Sequence, residues 1–288
     1  MPSKPVFETE TSQDDIHAYH TPILEFMSTS HRHLIRSLEN RLNSLANEKS
    51  RLFWERYLKG AIPFRGVPMG SIRKSVHSWW REDGPSELTL RHQKSLALQL
   101  FEGTPCEDKL AGTLVLEEIL LNDLTKDDIN SFGALFERGL ITDWNTCDWF
   151  CVKVLGNLAA RDLPSPEFTD AILDWRTAQS LWQRRASNVA FVNLAKRGDV
   201  NFEGFTHRML QTCAITVCSP ERFAQTGVGW LLRELAEADR AAVLRFTRKH
   251  LSLLSREALK SIFKHLPKGE FNLMLREYNE AHKVRRNL

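Results

Sequence analysis

The sequence predicts an all-α protein, a solenoid of stacked short helix pairs, on three observations. Apolar residues recur at helical spacing almost without pause from Pro22 onward. No stretch of useful length alternates with period two, and the breaks between periodic segments are short. A four-helix bundle needs fewer and longer elements. Many short helices with one apolar stripe each bury those stripes by stacking on neighbours.

Residues 1–20 mix Pro, Ser, Thr, acids and His without periodicity and are expected to form a mobile tail, leaving one helical domain over 21–288. The first helices are expected over 23–48 and 50–60, the second stopped by the break from Gly60 to Pro63. Those over 69–81 and 87–102 are closed by Gly84-Pro85 and Thr104-Pro105, and 107–121 and 126–138 follow. A helix over 144–160 opens on a cap at Thr142 or Asp143 and ends before the stretch from Leu163 to Pro166. Helices over 166–176, 179–197 and 202–218 are punctuated by Gly198-Asp199 and Ser219-Pro220. The last are 221–236, 239–250, 255–265 and 270–284, with Pro267 to Gly269 before the final one. This is the pattern of HEAT or armadillo stacks, although no consensus word recurs at fixed period, so helix number and length carry the inference. Such a stack curves, and its concave side suits an elongated partner.

At 288 residues and 42% hydrophobic, the chain can bury a large core. The formal charge is +3, but the first 20 residues hold one Lys against four acids, so the remainder carries +6. From Arg240 to Leu288 there are 12 Lys and Arg against 4 acids, a footprint that fits either a polyanion or a solvated helical surface. Five cysteines in apolar helical stretches argue for a reducing compartment, and the pairs Cys147/Cys151 and Cys213/Cys218 lack the His and Cys partners of a metal site. No apolar run approaches the roughly 20 residues of a membrane span. These features predict no metal, no cofactor and no membrane contact.

Several side chains sit awkwardly for a core. In ITDWNTCDWF, Cys147, Phe150, Cys151, Val154 and Leu158 form the buried stripe, and Trp144 and Asp148, four apart, fall on its shoulder. That is a position for a pocket wall, or for a helix-dipole aspartate beside a packed ring; the helix start favours the ionised carboxyl. On the helix from Arg222 to Ala236 the stripe is Val228, Leu231, Leu232 and Leu235, leaving Trp230 almost opposite, with Gly227 and Gly229 making room beside it. The indole either packs on a neighbouring repeat or lines a cavity. In LWQRRASNVA, Trp182, Ala186, Val189 and Asn193 share a face, Arg185 lies at its edge and Arg184 points away. An inward-leaning arginine needs an anion, either a carboxylate of the fold or a ligand phosphate. Tyr57 offers a ring to a flat ligand or anchors a repeat, and Arg73 and Lys74 are solvated or contact phosphate.

Five motifs in order resemble the AlkD-like family of DNA alkylation-repair glycosylases: YLKGAIPFRGV at Tyr57–Val67, WNTCD at Trp144–Asp148, LWQRRA at Leu181–Ala186, GWLLRE at Gly229–Glu234 and LSREALKSI at Leu254–Ile262. The resemblance runs from about Arg51 to Lys268. It implies a HEAT-like fold holding duplex DNA in a concave basic groove and hydrolysing the N-glycosidic bond of N3- or N7-alkylated purines, leaving an abasic site. By position, Trp144, Asp148 and Trp230 match the catalytic set, Arg185 a DNA-contacting arginine and Tyr57 an aromatic of the cleft. The chain departs from the pattern at Asp143, where the family often has a second aromatic, and at Thr226, where it often has a basic residue. No motif lysine sits where a Schiff base would form, so a monofunctional enzyme is expected; it is also expected to act as a monomer and, from its cysteine usage and the lack of a membrane span, to be cytoplasmic (nucleoid) in a bacterium or nuclear in a eukaryote. The alternatives are a catalytically silent helical-repeat protein that binds distorted or branched DNA, and a protein-binding HEAT scaffold.

Overall fold

The computed structural model describes residues 31–161, 163, 166–265 and 267–286. The expected tail and the front of the first expected helix, residues 23–30, lie outside them.

Helices start where a local cap can hold them. Asn47, Asp143, Asp239 and Ser255 each accept a hydrogen bond from the backbone N–H three residues on, those of Ser50, Thr146, Ala242 and Ala258. Each cap satisfies a donor that the first helical turn leaves open. In chain order the α-helices are α1 Arg32–Ser44, α2 Glu48–Tyr57, α3 Met69–Glu82, α4 Leu90–Gln99, α5 Cys106–Leu114, α6 Asp128–Glu137, α7 Trp144–Phe150 and α8 Gly156–Arg161. They continue with α9 Glu167–Leu173, α10 Leu181–Val189, α11 Val192–Ala195, α12 Phe205–Thr216, α13 Arg222–Leu235, α14 Arg240–Lys249, α15 Arg256–Ile262 and α16 Lys268–Arg286. Among the described residues there is no strand, and no helix is long and apolar enough to cross a membrane.

The stripes dictate how the helices stack. Cys147, Phe150, Cys151, Val154 and Leu158 are all fully buried, as are Val228, Leu231, Leu232 and Leu235. One row of helices packs in succession, α3 on α5, α5 on α7, α7 on α10, α10 on α13 and α13 on α15. A second row contains α4, α6, α9, α12 and α14; α4 packs on α5, α9 on α10, and α12 and α14 on α13. This is a helical-repeat architecture, in which each unit buries its stripe against its neighbours. Every candidate site residue lies in the first row or in α2 ahead of it.

Several expected helices differ in detail, and two of them bear on the site. The one over 144–160 runs unbroken to Arg161 but contains a π turn at Cys151–Leu155 between α7 and α8. The one over 179–197 breaks after Val189. Ala190, Phe191, Val192, Leu194 and Ala195 are all buried, and an unbroken helix would have turned part of that run to solvent. Asn193 is consequently exposed instead of sharing the face of Trp182.

Candidate active site

Trp144 opens α7 directly after the Asp143 cap, so its position is fixed by a buried hydrogen bond, Thr146 N–H donating to Asp143 Oδ1 at 2.9 Å. Facing it, α2 ends at Tyr57, and the chain leaves through left-handed backbone at Lys59 and Gly60. The Tyr57 ring meets the Trp144 ring edge-on at 5.8 Å between centroids. The contact is held from behind by the loop PFRGV. Glu107, buried at the start of α5, accepts the backbone N–H groups of Arg65 at 3.0 Å, Gly66 at 2.7 Å and Val67 at 3.1 Å. Arg65 in turn donates to Asp108 at 2.8 Å and to Asn43 at 2.6 Å. Gly66 has φ +82°, and a Cβ there would lie 2.2 Å from the Asn47 carbonyl oxygen, so only glycine lets this loop close on the start of α2.

Between these elements lies a cleft of about 570 Å³. Tyr57, Lys59, Asp143 and Trp144 form one wall, Trp182 and Arg185 come from α10, and Arg222, Phe223, Thr226 and Glu257 line the other side. The Trp182 and Phe223 rings are 5.1 Å apart. Arg222 donates to both oxygens of Glu257, at 2.8 and 2.7 Å.

Asp148 stands one turn after Trp144 and retains 15% of its side-chain exposure. Arg185 Nε donates to Oδ1 and Nη2 to Oδ2, both at 2.8 Å, a fork-to-fork pair. Nη1 donates to the Phe223 carbonyl at 2.8 Å and to the Thr226 hydroxyl at 3.0 Å. With 4% exposure and partners on α7 and α13, Arg185 joins three consecutive helices of the row. Burial lifts the Asp148 carboxyl above its usual range, against the downward pull of Arg185. The guanidinium itself is raised, its charge favoured by Asp148 against the cost of burial. Both carboxyl oxygens accept from Arg185, which suits the carboxylate; a protonated acid would lose one of those bonds. A carboxylate has about four lone-pair sites, so two stay free for water or a ligand.

Trp230 lies one turn beyond Thr226 on α13, its ring half-buried. Its Nε1–H donates to Glu234 at 3.0 Å, and the Arg233 guanidinium sits 5.8 Å from the ring centroid. Glu234 also pairs with Lys196 at 3.2 Å. The two neighbouring glycines serve other contacts than the expected one. Gly227 faces the Arg185 side chain, and a Cβ on Gly229 would fall 2.9 Å from the Ala258 backbone, so Gly229 marks the close approach of α13 to α15.

The row therefore brings Tyr57, Trp144, Asp148 and Arg185 together and places Trp230 on the helix forming the far wall. Of the expected site residues, Tyr57, Trp144 and Arg185 line the cleft, whereas Asp148, which lies behind Arg185, and Trp230, Arg73 and Lys74 are not among the lining side chains. Arg73 pairs with Glu118, which also receives His77, and Lys74 is exposed. Arg184, expected to point away, holds Glu221 at 2.6 Å and the Ala178 and Gln179 carbonyls. The two departures from the family pattern have local tasks here, Asp143 as the cap of α7 and Thr226 as an acceptor for Arg185. Sequence reasoning missed Phe223 and Glu107. Phe223 carries a weak signal, an aromatic one turn before Thr226 on the helix of Trp230. Glu107 carries none, because its partners lie some forty residues earlier.

Comparison with known proteins follows the same lines. A predicted DNA alkylation repair enzyme from Enterococcus faecalis shares the fold with a TM-score of 0.65 and 16% identity, covering 77% of this chain and 97% of that one. Comparison with curated proteins returns no match. The family model for DNA alkylation repair enzymes matches residues 38–266, a span that takes in α2, the loop pinned by Glu107 and every helix bordering the cleft. The chain belongs to the DNA alkylation repair enzyme family.

Proposed function

We propose that this protein is a DNA glycosylase that hydrolyses the N-glycosidic bond of N3- or N7-alkylated purines in duplex DNA and leaves an abasic site. The observation that carries the reading is the fork-to-fork pair of Asp148 with Arg185, a carboxylate directly behind a side chain that lines an aromatic-walled cleft. A purine alkylated at N3 or N7 is already cationic, so its bond to the sugar is weak and the departing base needs no general acid. One carboxylate then suffices. As the bond stretches, positive charge moves onto the deoxyribose, and Asp148 stabilises it while a free lone pair orients the attacking water.

Trp144 and Trp230 present ring faces to the charged nucleoside, each contact being worth about 0.5–2 kcal/mol according to desolvation. Tyr57 supports Trp144 and lines the approach. Arg185 acts on DNA from the cleft wall by cancelling the repulsion that an unpaired Asp148 would exert on phosphate. Lys59 at the cleft, Lys74, and Arg73 and Arg222 when released from Glu118 and Glu257 would complete a basic groove along the duplex. The proposed reaction is simple hydrolysis, with water rather than a lysine as the nucleophile, carried out by a monomer.

The close pairing of Asp148 favours a second reading, a catalytically silent relative that binds distorted DNA and uses the pair only to join helices. Release of free base from methylated duplex DNA separates the two. Wild-type protein should free N7-methylguanine or N3-methyladenine, and Asp148→Asn should bind the same duplex yet lose release by orders of magnitude. Wild-type rates in Asp148→Asn would remove Asp148 from the chemistry, and an inert wild type would leave the binding-only reading.

A further inference from the structure

Helix α2 buries none of its ten residues. Lys49, Phe53, Arg56 and Tyr57 recur at i, i+4, i+7 and i+8, which gathers them on one face. Phe53 is 59% exposed and Tyr57 56%, a large outlay of apolar ring in water for a helix with no core duty. Phe53 also contacts Trp54 edge-on at 5.3 Å, and Trp54 in turn stacks on Phe64 at 6.0 Å, so the ridge has a rigid base. The charges around it are one-sided. Arg51 engages both carboxylates of the helix, Glu48 and Glu55, whereas among the described residues Lys49, Arg56 and Lys59 have no ion-pair partner.

We propose that this face is a stacking platform for a nucleobase displaced from the duplex, beside the candidate cleft. Flat rings between unpaired cations match an unstacked base and its flanking phosphates, because every base has a π-face and every phosphate a negative charge. The platform is continuous with the cleft through the Tyr57–Trp144 contact. The charges favour DNA over an apolar protein surface, which would leave Lys49 and Arg56 without counter-charge. The inference rests on the reading of this protein as one that binds DNA, but it does not require catalysis.

The test uses the full chain and two undamaged labelled duplexes, one fully paired and one with a single-thymine bulge, with dissociation constants measured by anisotropy at fixed salt. Wild type is expected to bind the bulged duplex about tenfold tighter, the scale of one base stacked on an aromatic side chain. Phe53→Ala and Phe53→Leu should abolish that preference while Phe53→Trp retains it. Leucine keeps apolar area but offers no flat face. Because Phe53 is exposed, circular dichroism should show all three variants folded. Lys49→Gln with Arg56→Gln should weaken both duplexes and flatten the salt dependence. Equal affinity of wild type for the two duplexes would overturn the platform, as would a preference surviving in Phe53→Ala. A dimer that Phe53→Ala dissolves would assign the face to a second copy and also overturn it. Failure of wild type to release methylated bases, with the bulge preference intact, would sink the glycosylase and leave the platform standing.

Discussion

Replacing Arg185 by glutamine tests whether the buried pair holds the row of helices together and holds the charge on Asp148. The substitution removes a guanidinium that is 4% exposed and makes four hydrogen bonds, two to Asp148, one to the Phe223 carbonyl and one to Thr226. Glutamine is too short to span α7 and α13 at once. Breaking a buried pair by removing one partner costs about 3–5 kcal/mol, because the remaining charge stays desolvated. At the roughly 2 °C per kcal/mol typical of larger domains, the melting temperature should fall by about 6–10 °C. The double variant Arg185→Gln with Asp148→Asn should recover about 2 kcal/mol relative to the sum of the single changes, since the stranded charge is gone. The pH dependence has a definite sign. In Arg185→Gln nothing opposes burial, so the Asp148 carboxyl rises further above its ordinary 3.8 than in wild type. A carboxyl that binds its proton more tightly in the fold contributes stability that is lost as pH rises through the window from the ordinary to the raised value. The deficit of the variant should therefore be smaller near pH 4 than at pH 7. If Asp148 acts as an anion in base release, the acid limb of kcat/KM should also move upward in the variant. Urea unfolding at both pH values gives the stabilities. A loss below about 1 kcal/mol at pH 7, or a deficit independent of pH, would refute the assignment of the pair as a buried, charge-holding link.

Two further substitutions probe what positions the cleft. Glu107→Ala strands three backbone N–H groups of the loop at Arg65, Gly66 and Val67, and at about 1–3 kcal/mol for each unsatisfied group, eased by entering water, should cost about 3–5 kcal/mol in urea unfolding. Glu107→Gln keeps one acceptor oxygen and should cost clearly less; equal losses would argue against the carboxylate as the anchor. Gly229→Ala gains about 1 kcal/mol of helix propensity but puts a Cβ 2.9 Å from the Ala258 backbone, so a net loss of about 1–2 kcal/mol is expected in thermal unfolding. A stabilised variant would mean that α13 and α15 are not pressed together there.

The fold was legible because its signal is local and repeated. The stripes of the helical run from α7 through α8 and of α13 could be read residue by residue, and all nine positions named for them are fully buried. Helix ends marked by Asp143 or by Ser219-Pro220 were equally readable, since a cap acts within three residues. The break after Val189 was not, because LWQRRASNVA continues as a good helix and only the burial of Phe191 and Val192 against neighbours decides against it. At the site, sequence identified Asp148 and Arg185 as shoulder residues but left the anion for Arg185 undecided between a fold carboxylate and a phosphate. In the fold the anion is a carboxylate, Asp148, 37 residues earlier in the chain. Partnerships of that span, like that of Glu107 with PFRGV, have no periodic or local trace; they follow only from which helices come to lie side by side.

If the protein is the proposed glycosylase, that pairing changes where its selectivity for a cationic base would come from. A carboxylate bound by a guanidinium is close to neutral as a unit, so its long-range pull on a positive lesion is weak, and Arg222 with Glu257 at the opposite wall is balanced in the same way. On that proposal, what would distinguish a charged purine from a normal one is short-ranged, the faces of Trp144 and Trp230 and the free lone pairs of Asp148. In the proposed glycosylase, Trp144→Ala should therefore reduce kcat/KM for N7-methylguanine release by about tenfold, the loss of one partly desolvated cation–π contact, with little change in affinity for undamaged duplex. Replacement by phenylalanine should recover part of it, and by leucine none. A Trp144→Leu enzyme as fast as Trp144→Phe would show that the wall supplies bulk alone, and discrimination would then have to reside in how the duplex is held outside the cleft.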